Sequence, residues 1–168
     1  KIIKVSTIDD IGINELKEEI INLSNSTKEK FNREVFRMFI DRVFIKKGFG
    51  TVVTGTVISG EIDDNSKVNL LPKNDIVTIR SIQTHNTKVS KVRIGSRTAI
   101  NMQNIDKNKV FRGSHLGEKD YFHLVDNAIV EIKILKDIKH NQRIRIHLGT
   151  QEVIARIVFA DKKINNIA

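Results

Sequence analysis

The sequence predicts a mainly β protein, with one or two closed barrels behind a single N-terminal helix. Three observations carry that expectation. Only one segment, near the start, repeats apolar residues at helix spacing. From Val35 onward the chain is a series of short Val-, Ile- and Thr-rich runs broken by Gly, Asn and Asp. Several runs alternate cleanly, so that Val130, Ile132 and Ile134 would face one way and Glu131 and Lys133 the other. Many strands at close spacing, with no second strong helix, form the pattern of a closed barrel.

In chain order, Ile13, Leu16, Ile20 and Leu23 mark the helix, and Asp9, Asp10 and Gly12 stand where a start signal belongs. SNSTKEKFNRE (24–34) is polar and aperiodic, which predicts a linker. IDRVFIKKGFGTVVTGTVISG (40–60) then poses a choice between a phosphate-gripping loop and a hairpin. A P-loop closes on Gly-Lys-Ser/Thr and runs into a helix. Here Lys46 and Lys47 precede the glycines, and the TVVTGTVIS that follows is β-branched and strand-forming. The stretch is therefore expected to be a barrel hairpin, bending at Gly48 and Gly50, with Gly55 at a tight corner and Gly60 in the following turn. Glu61, Asp63 and Asp64 are expected in a turn, IDDNS being turn chemistry. Strands are expected at Ile76–Thr84, Arg97–Gln103, Ile129–Leu135, Arg143–Leu148 and Val153–Phe159, with a soft boundary at Gly117–Asp120.

The 168 residues, 39% hydrophobic and 29% charged, suit a globular chain with a real core. No apolar run approaches the roughly 18 residues that a membrane helix needs, and KIIKVSTIDD lacks the anatomy of a signal peptide. A cytoplasmic location without membrane contact is the expectation. With no cysteine, disulfides and thiolate metal sites are excluded. The five histidines show no ligand spacing and no nucleophile–base set stands out, so neither a metal nor an active site is expected. The net charge of +9 points to a polyanionic partner, nucleic acid above all. With one tyrosine and no tryptophan, base stacking on aromatic rings is not the expected mode.

FRMFIDRVFIKKGFGTVVTGTVISGEI resembles the opening of the second domain of translational GTPases of the elongation factor Tu group. Three details make the chain similar to the bacterial selenocysteine-specific elongation factors, the SelB family: Asp41-Arg42 within FIDRVF, the segment IRSIQTHNTKVSKVRIGSRTAINMQNI, and the closing run RIRIHLGTQEVIARIVF. VSTIDDIGINELKEEI resembles the last guanine-contacting motif and final helix of that family's GTPase domain, with Ser6 and Thr7 where the motif carries its Ser. The resemblance covers essentially the whole chain. It implies a GTPase-domain remnant over 1–34, an elongation factor Tu-like domain II barrel over 35–118 and part of a domain III barrel over 119–168. The P-loop and a C-terminal winged-helix region are expected in a longer parent protein, together with its GTP and magnesium. This piece itself is expected to be non-catalytic and to hold no cofactor.

The implied function is delivery of selenocysteinyl-tRNA to the ribosome at a UGA codon marked by an mRNA hairpin. The alternatives are the same domains of a general elongation or initiation factor, or a β-barrel adaptor that binds protein. By resemblance the aminoacyl pocket carries over to Asp41, Arg42 and Arg97. A selenol ionises far more readily than a hydroxyl, so a cation would favour selenocysteine over its seryl precursor. A charge-assisted hydrogen bond is worth roughly 1.5–3 kcal/mol. Alternation puts Thr98, Ile100 and Met102 on the apolar face of their strand and Arg97 on the other. Asp41 and Arg42 are adjacent, so on a regular strand they would diverge; either a bulge re-aims one or only one reaches the ligand. For the tRNA backbone the candidates are Lys46 and Lys47, then Lys88, Lys91 and Arg93 in a polar connection beyond His85, and Arg143, Arg145 and His147 along one strand face.

Overall fold

The computed structural model describes residues 1–26 and 34–159, and the chain divides into two compact units, 1–32 and 33–168. In the first unit, Ser6 and Ile11 form an antiparallel bridge that leads into helix α1 (Ile13–Ser26). The Ser6 hydroxyl donates to Asp9 Oδ2 at 2.7 Å and accepts from the Asp9 N–H at 3.2 Å, closing the turn before the helix. Lys1 bridges Glu15 and Glu19, one helical turn apart. No residue of α1 is buried, so the stripe that predicted it leaves Ile20 and Leu23 exposed. The linker expected over 24–34 falls largely on 27–33, outside the described residues.

The second unit carries the strands β1 (Arg37–Lys46), β2 (Gly50–Ser59), β3 (Glu61–Asp63), β4 (Lys67–Leu71), β5 (Asp75–Thr84), β6 (Thr87–Val89), β7 (Lys91–Arg93), β8 (Arg97–Met102), β9 (His115–Glu118), β10 (Arg143–Leu148) and β11 (Gln151–Arg156). The main sheet runs β4-β9-β1-β2-β8-β5-β6, and a further pairing of β4 with β5 closes its first six strands into a ring. All six pairings around the ring are antiparallel. Its interior is filled by alternate apolar side chains, among them Phe36, Met38, Ile40, Val53, Val57, Leu70, Ile79, Ile82, Ile100 and Leu116. Closure removes the unpaired edges that an open sheet of this size would expose.

The hairpin between β1 and β2 turns at Gly48 and Gly50, both with φ near +80° (79° and 84°), as the sequence predicts for a bend and not a phosphate loop. Two short segments differ from expectation. Glu61–Asp63 is a strand, paired with Lys91–Arg93 in a two-stranded ribbon, and the turn of IDDNS begins only at Asp64. Lys88 lies in β6 and Lys91 and Arg93 in β7, so the basic stretch beyond His85 is ordered ladder and not a polar connection.

β10 and β11 pair as a hairpin of their own, in register from Arg143–Arg156 to Leu148–Gln151. Its tip rests on β1 of the barrel: the Thr150 hydroxyl donates to the Ile40 carbonyl at 2.6 Å. A Cβ on Gly149 would lie 2.4 Å from the Phe39 ring, so only glycine lets the tip approach this closely. The strand expected over Ile129–Leu135 is absent. Its alternating residues find no partner strand, and Ile129, Val130 and Leu135 are exposed. Alternation alone makes a strand only where a neighbouring backbone supplies the ladder.

Candidate functional site

The site begins with one extra residue in β1. Met38 and Ile40 point into the barrel with no exposure, and Val43 packs against the same core. Strict alternation would send Arg42 inward after Ile40. Instead Ile40 pairs with Gly55 and Arg42 with Thr54, which leaves Asp41 unopposed in a β-bulge. Two consecutive residues, Asp41 and Arg42, therefore lie between inward-facing Ile40 and Val43. The question left by the sequence, whether a bulge re-aims one of the pair, is answered by this register shift. A Cβ on Gly55, opposite Ile40, would sit 2.1 Å from the Phe39 carbonyl oxygen, so the corner admits only glycine.

Arg97, opposite Thr56 across the β2–β8 ladder, faces outward and reaches the bulge. Its guanidinium grips Asp41 with two N–H groups, Nη1 on Oδ2 and Nη2 on Oδ1, the latter at 3.1 Å. Thr54, one strand over, donates its hydroxyl to Asp41 Oδ1 at 2.8 Å. Hydrogen bonding from Arg97 holds the Asp41 carboxyl below its usual range, helped by Thr54 and by the charges of Arg97 and Arg42, against a partial burial that pushes the other way. Asp41 in turn keeps Arg97 firmly charged. Arg42 is exposed and, among the described residues, makes no hydrogen bond or ion pair.

The three predicted pocket residues are thus brought together on one outer wall of the barrel. Thr54, which holds the carboxylate in place, is a site residue that sequence reasoning did not single out. A cavity of about 460 Å³ lies elsewhere, under the β1–β2 turn, lined by Phe49, Thr51, Arg80, Met102 and Gln103 among others. There the Thr51 hydroxyl donates to the Ile105 carbonyl at 2.7 Å, and Asn101 Nδ2 donates to the Phe49 carbonyl at 2.7 Å.

The basic candidates for the tRNA backbone are spread over the second unit and differ in how far they are neutralised. Lys91 is taken up by Glu61 at 2.8 Å and Asp63 at 3.6 Å, which raise its pKa, Glu61 most. Arg145 lies 3.1 Å from Glu152, and His147 lies 3.7 Å from the same carboxylate. Lys46 sits 4.7 Å above the Phe49 ring. Lys47, Lys88, Arg93 and Arg143 are exposed and make no ion pair among the described residues. Ser6 and Thr7 lie in the first unit, Ser6 closing the turn before α1 and Thr7 exposed. Among the described residues no group of His, Asp and Glu has the arrangement of a metal site, and no helix is long and apolar enough to cross a membrane.

No protein-family model matches the chain. It is 35% identical over 173 residues to the selenocysteine-specific elongation factor of Methanocaldococcus jannaschii, an alignment covering 99% of this chain and 37% of that protein. It is 32% identical over 165 residues to the selenocysteine-specific elongation factor of Desulfomicrobium baculatum, covering 96% of this chain and 26% of that protein. The crystal structure of a bacterial selenocysteine-specific elongation factor superposes with a TM-score of 0.86 at 31% identity, over 96% of this chain and 28% of that one. Over nearly its whole length the chain is similar to the selenocysteine-specific elongation factors. Its ring of six strands is the elongation factor Tu-like β-barrel of that family, and it spans about a third of the length of the curated relatives it matches.

Proposed function

We propose that this chain is the aminoacyl-tRNA-binding part of a selenocysteine-specific elongation factor that delivers selenocysteinyl-tRNA to the ribosome at UGA codons. Asp41, Arg42 and Arg97 hold the selenocysteinyl tip. One observation supports this reading above the rest: the bulge at Asp41, which sets two adjacent charged residues on the wall that Arg97 occupies. In this reading residues 1–34 close the GTPase domain, 35–118 form domain II, and 119–168 open domain III. GTP and magnesium bind elsewhere in the parent protein, which works in the cytoplasm and reads the mRNA hairpin through other domains. The free basic residues Lys46, Lys47, Lys88, Arg93 and Arg143 lie against tRNA phosphates.

The site discriminates because serine's hydroxyl is neutral while the selenol is largely ionised at neutral pH. The net positive wall stabilises the anion by a charge-assisted hydrogen bond that the hydroxyl does not make, roughly 1.5–3 kcal/mol, about 10- to 150-fold in affinity. The test is Arg97→Ala in the full-length factor, read as the ratio of dissociation constants for seryl- and selenocysteinyl-tRNA. That ratio should fall by about tenfold or more. An unchanged ratio would sink charge selection.

A further inference from the structure

We propose that the tip of the β10–β11 hairpin is a built-in brace for the bulge in β1, with Thr150 as the positioning residue that carries it. The hold of Arg97 on Asp41 then depends on a side chain 110 residues along the chain from Ile40, and the hairpin that bears Arg143 is coupled to the barrel wall. The consequence for tRNA selectivity rests on the function proposed above; the brace itself does not.

Three consecutive tip residues meet the barrel where β1 changes its alternation. Gly149 stands against the Phe39 ring, the Thr150 hydroxyl donates to the Ile40 carbonyl at 2.6 Å, and Gln151 packs on Gly113, where an added Cβ would lie 3.1 Å from the Gln151 Cα. Phe39 and Ile40 are the two residues before Asp41. The Ile40 carbonyl has a second donor, the Gly113 N–H, but at 3.3 Å that bond is longer than the usual length of about 2.9–3.0 Å. The β1–β9 ladder runs from Arg37–Gly117 to Phe39–His115, and the Ile40 N–H still reaches the Ser114 carbonyl at 2.9 Å. At the Ile40 oxygen the ladder weakens, and the hydroxyl makes the closer bond.

Peptide planarity turns that contact into control of the bulge. The Ile40 carbonyl and the Asp41 N–H belong to one rigid plane. Fixing the oxygen therefore fixes the orientation in which the unopposed residue starts, and with it the direction of the Asp41 carboxylate toward Arg97 and Thr54. The β2 side does not supply this restraint, because the bulge is where the β1–β2 register shifts. Phe39 also carries the Arg37 guanidinium 4.8 Å over its ring and His115 edge-on at 5.5 Å, so the ring that Gly149 meets is itself held in place.

The experiment uses the full-length factor and follows the Asp41 carboxyl titration by NMR. Thr150→Val, close in shape but without the hydroxyl, should raise the midpoint from its depressed position toward the ordinary 3.8, and Thr150→Ser should restore it. A wild-type midpoint in Thr150→Val, or a Thr150→Ser that behaves like it, overturns the brace. Should Thr150→Val not fold, Gly149→Ala decides by the same reading, since its Cβ would lie 2.4 Å from the Phe39 ring and lift the tip. A second readout is the ratio of dissociation constants for seryl- and selenocysteinyl-tRNA. Thr150→Val should lower it by roughly 2- to 10-fold, the worth of one neutral hydrogen bond. In an Arg97→Ala background it should lower the ratio no further, because it acts through that arginine. Equal losses in both backgrounds overturn the coupling to cargo choice. A wild-type factor without preference between the two tRNAs overturns the functional reading instead, and the titration still judges the brace.

Discussion

Asp41 and His115 lose their native protonation states in different acid windows, which separates the site from the packing beneath it. His115 stands edge-on to Phe39 and Phe122, with ring centroids 5.5 and 6.1 Å away. Its Nδ1 is buried without a hydrogen-bond partner. Burial first, and the nearby charge of Arg37 second, bring its pKa down from 6.5 to about 4. A histidine held neutral by the fold contributes stability fully above its unfolded pKa and loses it as pH falls from 6.5 toward 4. His115→Phe keeps the ring contacts and removes the titration. Thermal melts of that variant should stay flat across this window, where the wild type falls by roughly 1–3 kcal/mol after allowance for solvent screening. Asp41 follows the opposite rule for a depressed carboxyl: its contribution is present above its unfolded value of 3.8 and is lost as pH falls below it. Asp41→Asn should therefore flatten only that lower limb. Thr54→Val, which strips one donor from the half-buried carboxylate, should cost about 1 kcal/mol at neutral pH, measured by denaturant melts.

The β1–β2 hairpin was the most legible element, because residue order alone separated it from a phosphate loop: lysines before the glycines, β-branched residues after. The helix was equally plain from Ile13, Leu16, Ile20 and Leu23. What periodicity does not reach is a strand of three residues, so Glu61–Asp63 reads as turn and Lys91–Arg93 as connection although the two pair with each other. The reverse holds over Ile129–Leu135, where the alternation is clean but no backbone partner stands alongside among the described residues. At the site, sequence supplied the residue types and the dilemma of two neighbours on one strand, but not the register shift that resolves it. Thr54 gave no signal, since a threonine in a Val- and Thr-rich strand is what propensity alone would place there. Gly55 carries the element-scale prediction. Gly55→Ala forces a Cβ to 2.1 Å from the Phe39 carbonyl, beside the bulge. It should destabilise by about 2–4 kcal/mol in thermal or urea melts. A stability within 0.5 kcal/mol of wild type, as for an ordinary surface change, would show that the corner relaxes freely.

Across the whole molecule, the net charge of +9 already subtracts the carboxylates against which Lys91, Arg145 and His147 sit, so what differs from place to place is which cations stand apart from a carboxylate. Salt titrations of tRNA binding should register the difference. Lys88→Ala with Arg93→Ala should reduce the slope of log affinity against log salt by roughly one per lost phosphate contact. Lys91→Ala should change it little, and a larger effect from Lys91 than from that pair would refute the assignment. The six-membered ring of strands adds a constraint of a different kind. β1 is hydrogen-bonded to β2 on one side and β9 on the other, so it cannot slide by a residue to absorb a change in length. Excising Asp41 would remove the unopposed residue, so that Arg42 follows Ile40 in plain alternation and Val43 keeps its inward place. The extra residue is thus a spare letter in the spelling of the barrel: closure does not require it, while the clasp on Arg97 does. A variant lacking Asp41 should keep the far-ultraviolet signature of the folded barrel and lose that clasp, and an unfolded deletion variant would show that closure depends on the bulge.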